Sequence, residues 1–269
     1  MNRIDARFAA LKQSGKAAFI PFFTAGDPDL ETTKRLMIGA EDAGADVIEL
    51  GVPFSDPIAD GPTIQASYTR VLEHHQRLAA VFDLVSAARQ GGCELPVVAM
   101  VSYSIVFRIG FDEFLRRAIE ADIDGATVPD LPVEEATAHF AAAAERDFRL
   151  ICFVTPATTE ARRALVIRHA RGFVYYISVR GITGERSELP PDLTDNIALL
   201  KASTSTPIAV GFGVATPEQS AAVARTANGV IVGSAIVNCM AQAAQQGTDA
   251  AQAALDFISR MNGAAKSIS

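Results

Sequence analysis

The feature that most constrains this chain is a repeated alternation between two hydrophobic periods. Short apolar, β-branched runs recur at Ala18–Phe23, Val47–Leu50, Val97–Val101, Gly125–Val128, Leu150–Val154, Phe173–Ile177, Ile208–Gly211 and Val230–Val232. Between them, segments such as Asp29–Ala43, Phe111–Ala121, Val133–Glu145, Thr159–Ala170, Pro191–Ala202 and Pro217–Thr226 carry apolar residues three and four apart, as one face of a helix does. Helix starts are marked at Asp27-Pro28-Asp29, at Leu131-Pro132-Val133-Glu134-Glu135 and at Thr216-Pro217-Glu218, where a polar cap or proline precedes acidic first-turn residues. Alternating strands and helices imply a parallel sheet with right-handed crossovers. Eight such units in 269 residues, about 34 residues each, suit a closed α/β barrel, the (β/α)8 or TIM barrel, in one domain spanning 1–269. The rival, an open doubly wound sheet, calls for a glycine-rich dinucleotide turn after the first strand, and Phe23-Thr24-Ala25-Gly26-Asp27-Pro28 is not one.

Three further segments extend this plan. Residues 1–15 read as an extra amphipathic N-terminal helix, with Ile4, Phe8, Ala9 and Leu11 on one side. The stretches after strands 2 and 6, Gly51 to about Val81 and Ser178 to about Leu193, are longer than the plain repeat. Both fall on the carboxyl-end face, where barrel active sites and their lids grow.

Composition narrows the function. A formal net charge of −7 argues against a nucleic-acid-binding face, which concentrates positive charge against phosphates. Cys93, Cys152 and Cys239 are odd in number and widely spaced, with no C-x-x-C pair, so they read as buried hydrophobes in a reducing cytoplasm. No apolar signal core occurs in residues 1–15, and the longest apolar stretch, Pro96–Phe107, is short of a membrane span.

Candidate chemistry begins at Glu49. Period 2 sends Val47 and Glu49 to one face of the second strand and Ile48 and Leu50 to the other, so Glu49 points into the barrel if the apolar pair faces the helices. A carboxyl at the carboxyl end of a barrel strand is partly desolvated, which raises its pKa toward the range of proton transfer; a structural glutamate is the alternative. The loop from Gly51 to Gln65 holds Asp56 and Asp60 in a frame stiffened by Pro53, Pro57 and Pro62. Asp60 could return over the same strand end as a second carboxylate, or both aspartates could serve as turn and cap residues, the favoured reading for Asp56. Glycines end the last three strand units: Gly181 and Gly184, then Gly211 and Gly213, then Gly233 before Ser234. They let backbone N–H groups approach an anion where this fold recurrently binds phosphate. His74, His75, His139 and His169 all fall in expected helices, in packing or surface roles rather than as metal ligands, and no metal site is expected. Tyr175, in phase with Phe173 and Ile177, is the inward one of the Tyr175-Tyr176 pair.

Taken in order, Pro21-Phe22 with Thr24-Ala25-Gly26-Asp27-Pro28, the run Ala45 to Pro57 with Ala59 to Gln65, Pro129 to Glu135, Gly181-Ile182-Thr183-Gly184, Gly211 to Val214 and Val232 to Val237 resemble the tryptophan synthase alpha chains. The resemblance covers nearly the whole chain, and its proline-rich aspartate loop is its most specific part. It implies retro-aldol cleavage of indole-3-glycerol phosphate to indole and glyceraldehyde 3-phosphate, without a cofactor in this subunit. Glu49 is then the acid/base, Asp60 holds the indole N–H, and Tyr175 lies near Glu49 as an orienting group. Phe22, Ile64, Met100 and Phe212 line the indole pocket, Gly184, Gly213, Gly233 and Ser234 bind the phosphate, and Thr183 is a further substrate-binding residue. The resemblance further implies a pyridoxal-phosphate beta chain as partner in an αββα assembly, with Pro53–Asp60 and Val179–Pro190 as mobile elements. One departure stands out: the family's Met-x-Tyr-x-Asn-Pro after the third strand reads Met100-Val101-Ser102-Tyr103-Ser104-Ile105 here, toward the partner surface. A stand-alone lyase releasing indole and a noncatalytic regulatory barrel are the alternatives; the variant segment motivates the first, and Glu49 with Asp60 argues against the second.

Overall fold

A computed structural model describes residues 1–58, 60–178, 189–211 and 213–266. Helix α1 (Arg3–Gln13) precedes strand β1 (Ala18–Thr24), α2 (Leu30–Gly39) and β2 (Ile48–Gly51). The chain then runs through α3 (Pro62–Glu73), α4 (Leu78–Gln90), β3 (Val97–Met100), α5 (Tyr103–Ile109), α6 (Phe111–Glu120) and β4 (Gly125–Thr127). The second half comprises α7 (Thr137–Glu145), β5 (Arg149–Val154), α8 (Glu160–His169), β6 (Val174–Ile177), α9 (Leu193–Ser203), β7 (Ile208–Gly211), α10 (Pro217–Thr226), β8 (Gly229–Val232), α11 (Ser234–Gln245) and α12 (Ala250–Lys266). The eight strands pair in sequence order, all parallel, and β8 returns to β1, so the sheet closes as the alternation predicts. No helix among the described residues is long and apolar enough to cross a membrane.

Two cores follow from the two faces of these strands. Outward residues such as Phe23, Ile48, Leu50, Val97 and Tyr176 pack against the helices, while Ile20, Val47, Val98, Ile151, Phe173, Tyr175, Ala209 and Ile231 fill the barrel interior. Helix α1 joins the inner core through Ile4, Phe8 and Leu11 and closes the amino-end floor of the barrel. The fit is tight: a Cβ on Gly125 would stand 3.1 Å from Ile4 Cδ1. Ala9, expected on the same face, is instead exposed, one position past the buried stripe.

The amino ends are fastened by a repeated device. Asp46, Asp124 and Asn228 each donate their backbone N–H to Phe19, Val97 and Ile208 carbonyls, at 2.9, 2.9 and 2.8 Å. Their side chains accept the N–H of the same three residues at 2.8, 2.8 and 3.0 Å. A short polar side chain just before a strand thus satisfies a neighbour's backbone donor where the ladder begins. Arg3 and Arg89 reach Asp124, and Lys266 reaches Asp46, so α1, α4 and α12 are tied to the floor.

Several boundaries differ from expectation. Helix α7 starts at Thr137 rather than Val133, because Pro132–Ala136 is taken up by turns in which Glu135 N–H donates to Pro132 and Ala136 N–H to Val133. His74 caps the end of α3, and His75 lies beyond it at φ 54°, so neither is inside a helix. His139 and His169 are in helices and pack on aromatic rings, His139 edge-on to Phe111 and His169 stacked on Phe140. The long interval after β2 contains a whole additional helix, α3, ahead of α4.

Ile4→Ala should destabilise the chain by about 2–5 kcal/mol by opening a cavity in the floor. Urea denaturation measures this, and a loss under about 1 kcal/mol would mean that α1 is not part of the barrel core.

Candidate active site

The carboxyl ends of the strands are organised around Glu49. Its β-strand parity places it inward, level with Phe22 on β1 and Val98 on β3. Only 1% of the residue is exposed. Oε1 accepts a hydrogen bond from the Thr127 hydroxyl at 3.0 Å, and Oε2, also buried, has no partner among the described residues. Burial pushes the Glu49 carboxyl up to about 8, opposed by the Thr127 hydrogen bond and reinforced by the charge of Asp60.

Asp60 reaches this site from the loop that leads into α3. Gly61 caps that helix and Pro62 starts it, so the chain enters in a fixed direction, and Gln65 Nε2 donates back to the Asp60 carbonyl at 2.7 Å. The Asp60 residue is 7% exposed, and burial followed by repulsion from Asp130 moves its carboxyl up to about 7. Asp56 sits differently: it is exposed and accepts from the neighbouring Ser55 Oγ at 2.6 Å.

Two phenols flank the carboxylates. Tyr175 faces inward from β6 and Tyr68 faces the same space from α3; burial, then the charges of Glu49 and Asp60, hold both hydroxyls well above their ordinary pKa. Both therefore remain donors near neutral pH. Tyr68 also joins Phe22, Ile64, Val237 and Met100 in an apolar cluster above Glu49. Of these, Phe22, Ile64 and Met100 were anticipated, whereas Tyr68 and Val237 were not, nor was Thr127 beside Glu49. Spacing held a clue to one of them, since Ile64, Tyr68 and Val71 lie on a single face of α3.

Helix α3 is held over the mouth by a buried carboxylate after β1. Asp27 accepts from Ser67 Oγ at 2.6 Å and from Arg70 Nε and Nη2 at 3.0 and 2.6 Å. Glycines make room for the rings beneath it. A Cβ on Gly51 would lie 2.6 Å from Phe22 Cζ, and one on Gly211 would lie 2.6 Å from the Tyr175 hydroxyl.

On the far side of Phe22, Gly233 precedes α11 and Ser234 is the first residue of that helix. A Cβ at Gly233 would stand 3.3 Å from Phe22 Cδ1, so this helix N-terminus adjoins the apolar pocket. Gly213 follows β7 with φ 90°, a conformation that side chains rarely adopt. Phe212 and residues 179–188, with Thr183 and Gly184 among them, lie outside the described residues. The segment that departs from the family pattern is anchored on Asp130, which accepts from Ser102 Oγ and from Tyr103 N–H, each at 2.6 Å.

This combination of two buried carboxyls with unlike environments, an apolar slot and a helix N-terminus can exchange protons with a flat apolar ring that carries an anionic tail. The family profile described as "Tryptophan synthase alpha chain" matches residues 8–266. The chain belongs to the tryptophan synthase alpha chain family. It is 45% identical over 248 residues to the tryptophan synthase alpha chain of Rhodopirellula baltica, covering 91% of this chain and 89% of that one. It is 46% identical to that of Citrifermentans bemidjiense, covering 88% of each chain. The solved tryptophan synthase subunit alpha from Legionella pneumophila superposes with TM-score 0.92 at 38% identity, covering 98% of both chains. Membership makes this protein a lyase of tryptophan biosynthesis.

A raised carboxyl pKa in the folded state means that folding retains a proton the unfolded chain has lost. Between the ordinary carboxylate range and about 8, Glu49 therefore costs stability as pH rises. Glu49→Gln should leave stability unchanged near pH 4 and raise it by on the order of 2–4 kcal/mol at pH 9. Equal urea midpoints at both pH values would show that Glu49 ionises without penalty.

Proposed function

We propose that this chain cleaves indole-3-glycerol phosphate to indole and glyceraldehyde 3-phosphate, by a retro-aldol route carried by Glu49 and Asp60. The observation that carries the reading is the buried Glu49 carboxyl, bare at Oε2, in an apolar pocket shared with Asp60. Cleavage needs three electronic events that this arrangement suits. Protonated Glu49 gives its proton to indole C3, and positive charge develops on the ring nitrogen. Asp60, ionised, accepts the ring N–H and stabilises that charge. The adjacent side-chain hydroxyl then returns a proton to Glu49 as the bond from C3 to the side chain breaks; its electron pair restores the indole ring and the hydroxyl carbon becomes the aldehyde. Glu49 ends as it began, so no cofactor in this chain is required.

The remaining site residues serve binding. Phe22, Ile64 and Met100, with Phe212, form the indole slot, and the Tyr175 phenol orients the substrate. Gly184, Gly213, Gly233 and Ser234 take the phosphate, with Thr183 a further substrate contact, and the N-terminus of α11 turns its positive dipole end to the anion. This suits an acidic chain, because backbone dipoles hold the anion without a cluster of arginines.

We assign the product indole to a beta chain carrying pyridoxal phosphate, in an αββα assembly in the cytoplasm. Ile58 and Phe107, 81% and 74% exposed, are large apolar side chains left uncovered after β2 and β3 on the carboxyl-end face, which supports a partner there. The three cysteines are all unpaired, as suits a reducing compartment.

Indole release from indole-3-glycerol phosphate by the purified chain, with and without a beta chain, tests this reading. Activation of tenfold or more by the partner is expected; full turnover alone would make this a stand-alone lyase, and no release under either condition would leave a noncatalytic barrel. Glu49→Gln should abolish cleavage while substrate still binds, and retention of more than a few per cent of activity would sink the proton-transfer role. Since Asp60 must be ionised and Glu49 protonated at the start, kcat/KM should rise with pH through about 7 and fall through about 8. A profile flat from pH 6 to pH 9 would contradict the assignment.

A further inference from the structure

Among the polar side chains at the barrel mouth that the proposed reaction leaves unused, one touches Glu49 directly. Thr127 is the only polar residue of β4, is fully buried, and faces inward beside Met100 of β3. Glu49 pairs with Val98 on that same β3, one inward step nearer the floor. The glutamate side chain spans that step and meets the threonine hydroxyl, 78 residues away in sequence, at 3.0 Å.

We infer that Thr127 is a positioning residue: its hydroxyl pins Oε1 of Glu49 and thereby makes Oε2 the oxygen that carries the proton to and from the substrate. This inference rests on the proton-transfer role proposed for Glu49. A threonine hydroxyl has a single O–H, and the bond to Glu49 is the one it makes among the described residues. In the ionised state that donor stabilises the charge on Oε1. In the protonated state the same donor still occupies Oε1, so the acid proton resides on Oε2, which is buried and has no other partner among the described residues. One hydrogen bond therefore fixes the plane of the carboxyl, selects the reactive oxygen and leaves it bare. An unfastened carboxyl would rotate between two equivalent oxygens and lose the alignment that proton transfer needs.

The other titratable groups facing Glu49 cannot replace this bond. Asp60 repels the charge, and the Tyr68 and Tyr175 phenols, on α3 and β6, feel the Glu49 charge but leave Oε2 without a partner. Thr127 acts from β4, beside Met100, and engages Oε1 rather than the oxygen left bare.

The test compares Thr127→Val and Thr127→Ser in indole release from indole-3-glycerol phosphate with the beta chain present, as kcat and KM against pH. Valine keeps the shape and removes the donor. It should lower kcat tenfold or more with KM within about twofold, and move the falling limb upward by about one pH unit, because the lost hydrogen bond favoured the charged form. Serine should restore the limb and most of kcat. An unmoved limb with kcat within twofold in the valine variant would overturn the inference, as would equal losses in both variants, which point to the methyl group. If valine impairs folding, the 13C chemical shift of the Glu49 carboxyl in the serine variant and in the native chain decides: titration at the native pH supports the role, and an altered one removes it. Glu49→Gln separates the two levels. An active Glu49→Gln enzyme sinks the proton-transfer role itself, whereas an inactive one beside an unmoved limb in Thr127→Val sinks only the part given to Thr127.

Discussion

The desolvation of Glu49 is the constraint on which the rest of the structure depends. A carboxyl in water near neutral pH is ionised and a poor acid; one enclosed by apolar walls keeps its proton until about pH 8. Enclosure requires a barrel dry below the site as well as beside it. The inner layers from Ile20 to Ile231 supply the walls, and Ile4, Phe8 and Leu11 of the N-terminal helix close the floor. The helix at the opposite end of the barrel is thus part of what keeps the Glu49 carboxyl out of water. Asp46, Asp124 and Asn228 complete the floor with polar side chains spent on backbone donors, so those strand ends do not invite water.

The upper half of the site is built from different materials. Strands end in glycine where a ring must pass, as Gly51 and Gly211 do beneath Phe22 and Tyr175. Above them, α3 is clamped by the Asp27 carboxylate through Ser67 and Arg70, bringing Ile64 and Tyr68 over Glu49. The segment after β3, which departs from the family pattern, bonds to Asp130, whose charge in turn acts on Asp60. The variant segment and the second carboxyl are therefore connected through one aspartate.

Much of this was legible in the sequence because it depends on local periodicity. Eight strands, their parallel order and the inward direction of Glu49 and Tyr175 follow from alternation and parity, and the closed sheet agrees. What escaped depends on proximity between distant strands. Thr127 is a lone hydroxyl in an apolar run, and nothing near it in sequence reveals that Glu49 lies within hydrogen-bond reach. Tyr68 sits at helical spacing with buried neighbours and reads as ordinary core until α3 is placed over the mouth. Local signals also misled where turn geometry prevailed: Pro132 to Ala136 carries the marks of a helix start, yet is taken up by turns before α7. The acidic surplus, which argued only against nucleic acids, gains a more specific meaning. Two of those acids, Glu49 and Asp60, are removed from water at the mouth of the barrel.

The most direct test of this account is the titration of the Glu49 carboxyl itself, followed by 13C NMR with side-chain-labelled glutamate and assigned by the signal missing in Glu49→Gln. The account predicts an inflection near pH 8. An inflection in the ordinary carboxylate range, near that of exposed glutamates, would show that the barrel does not desolvate Glu49 and would contradict the central claim.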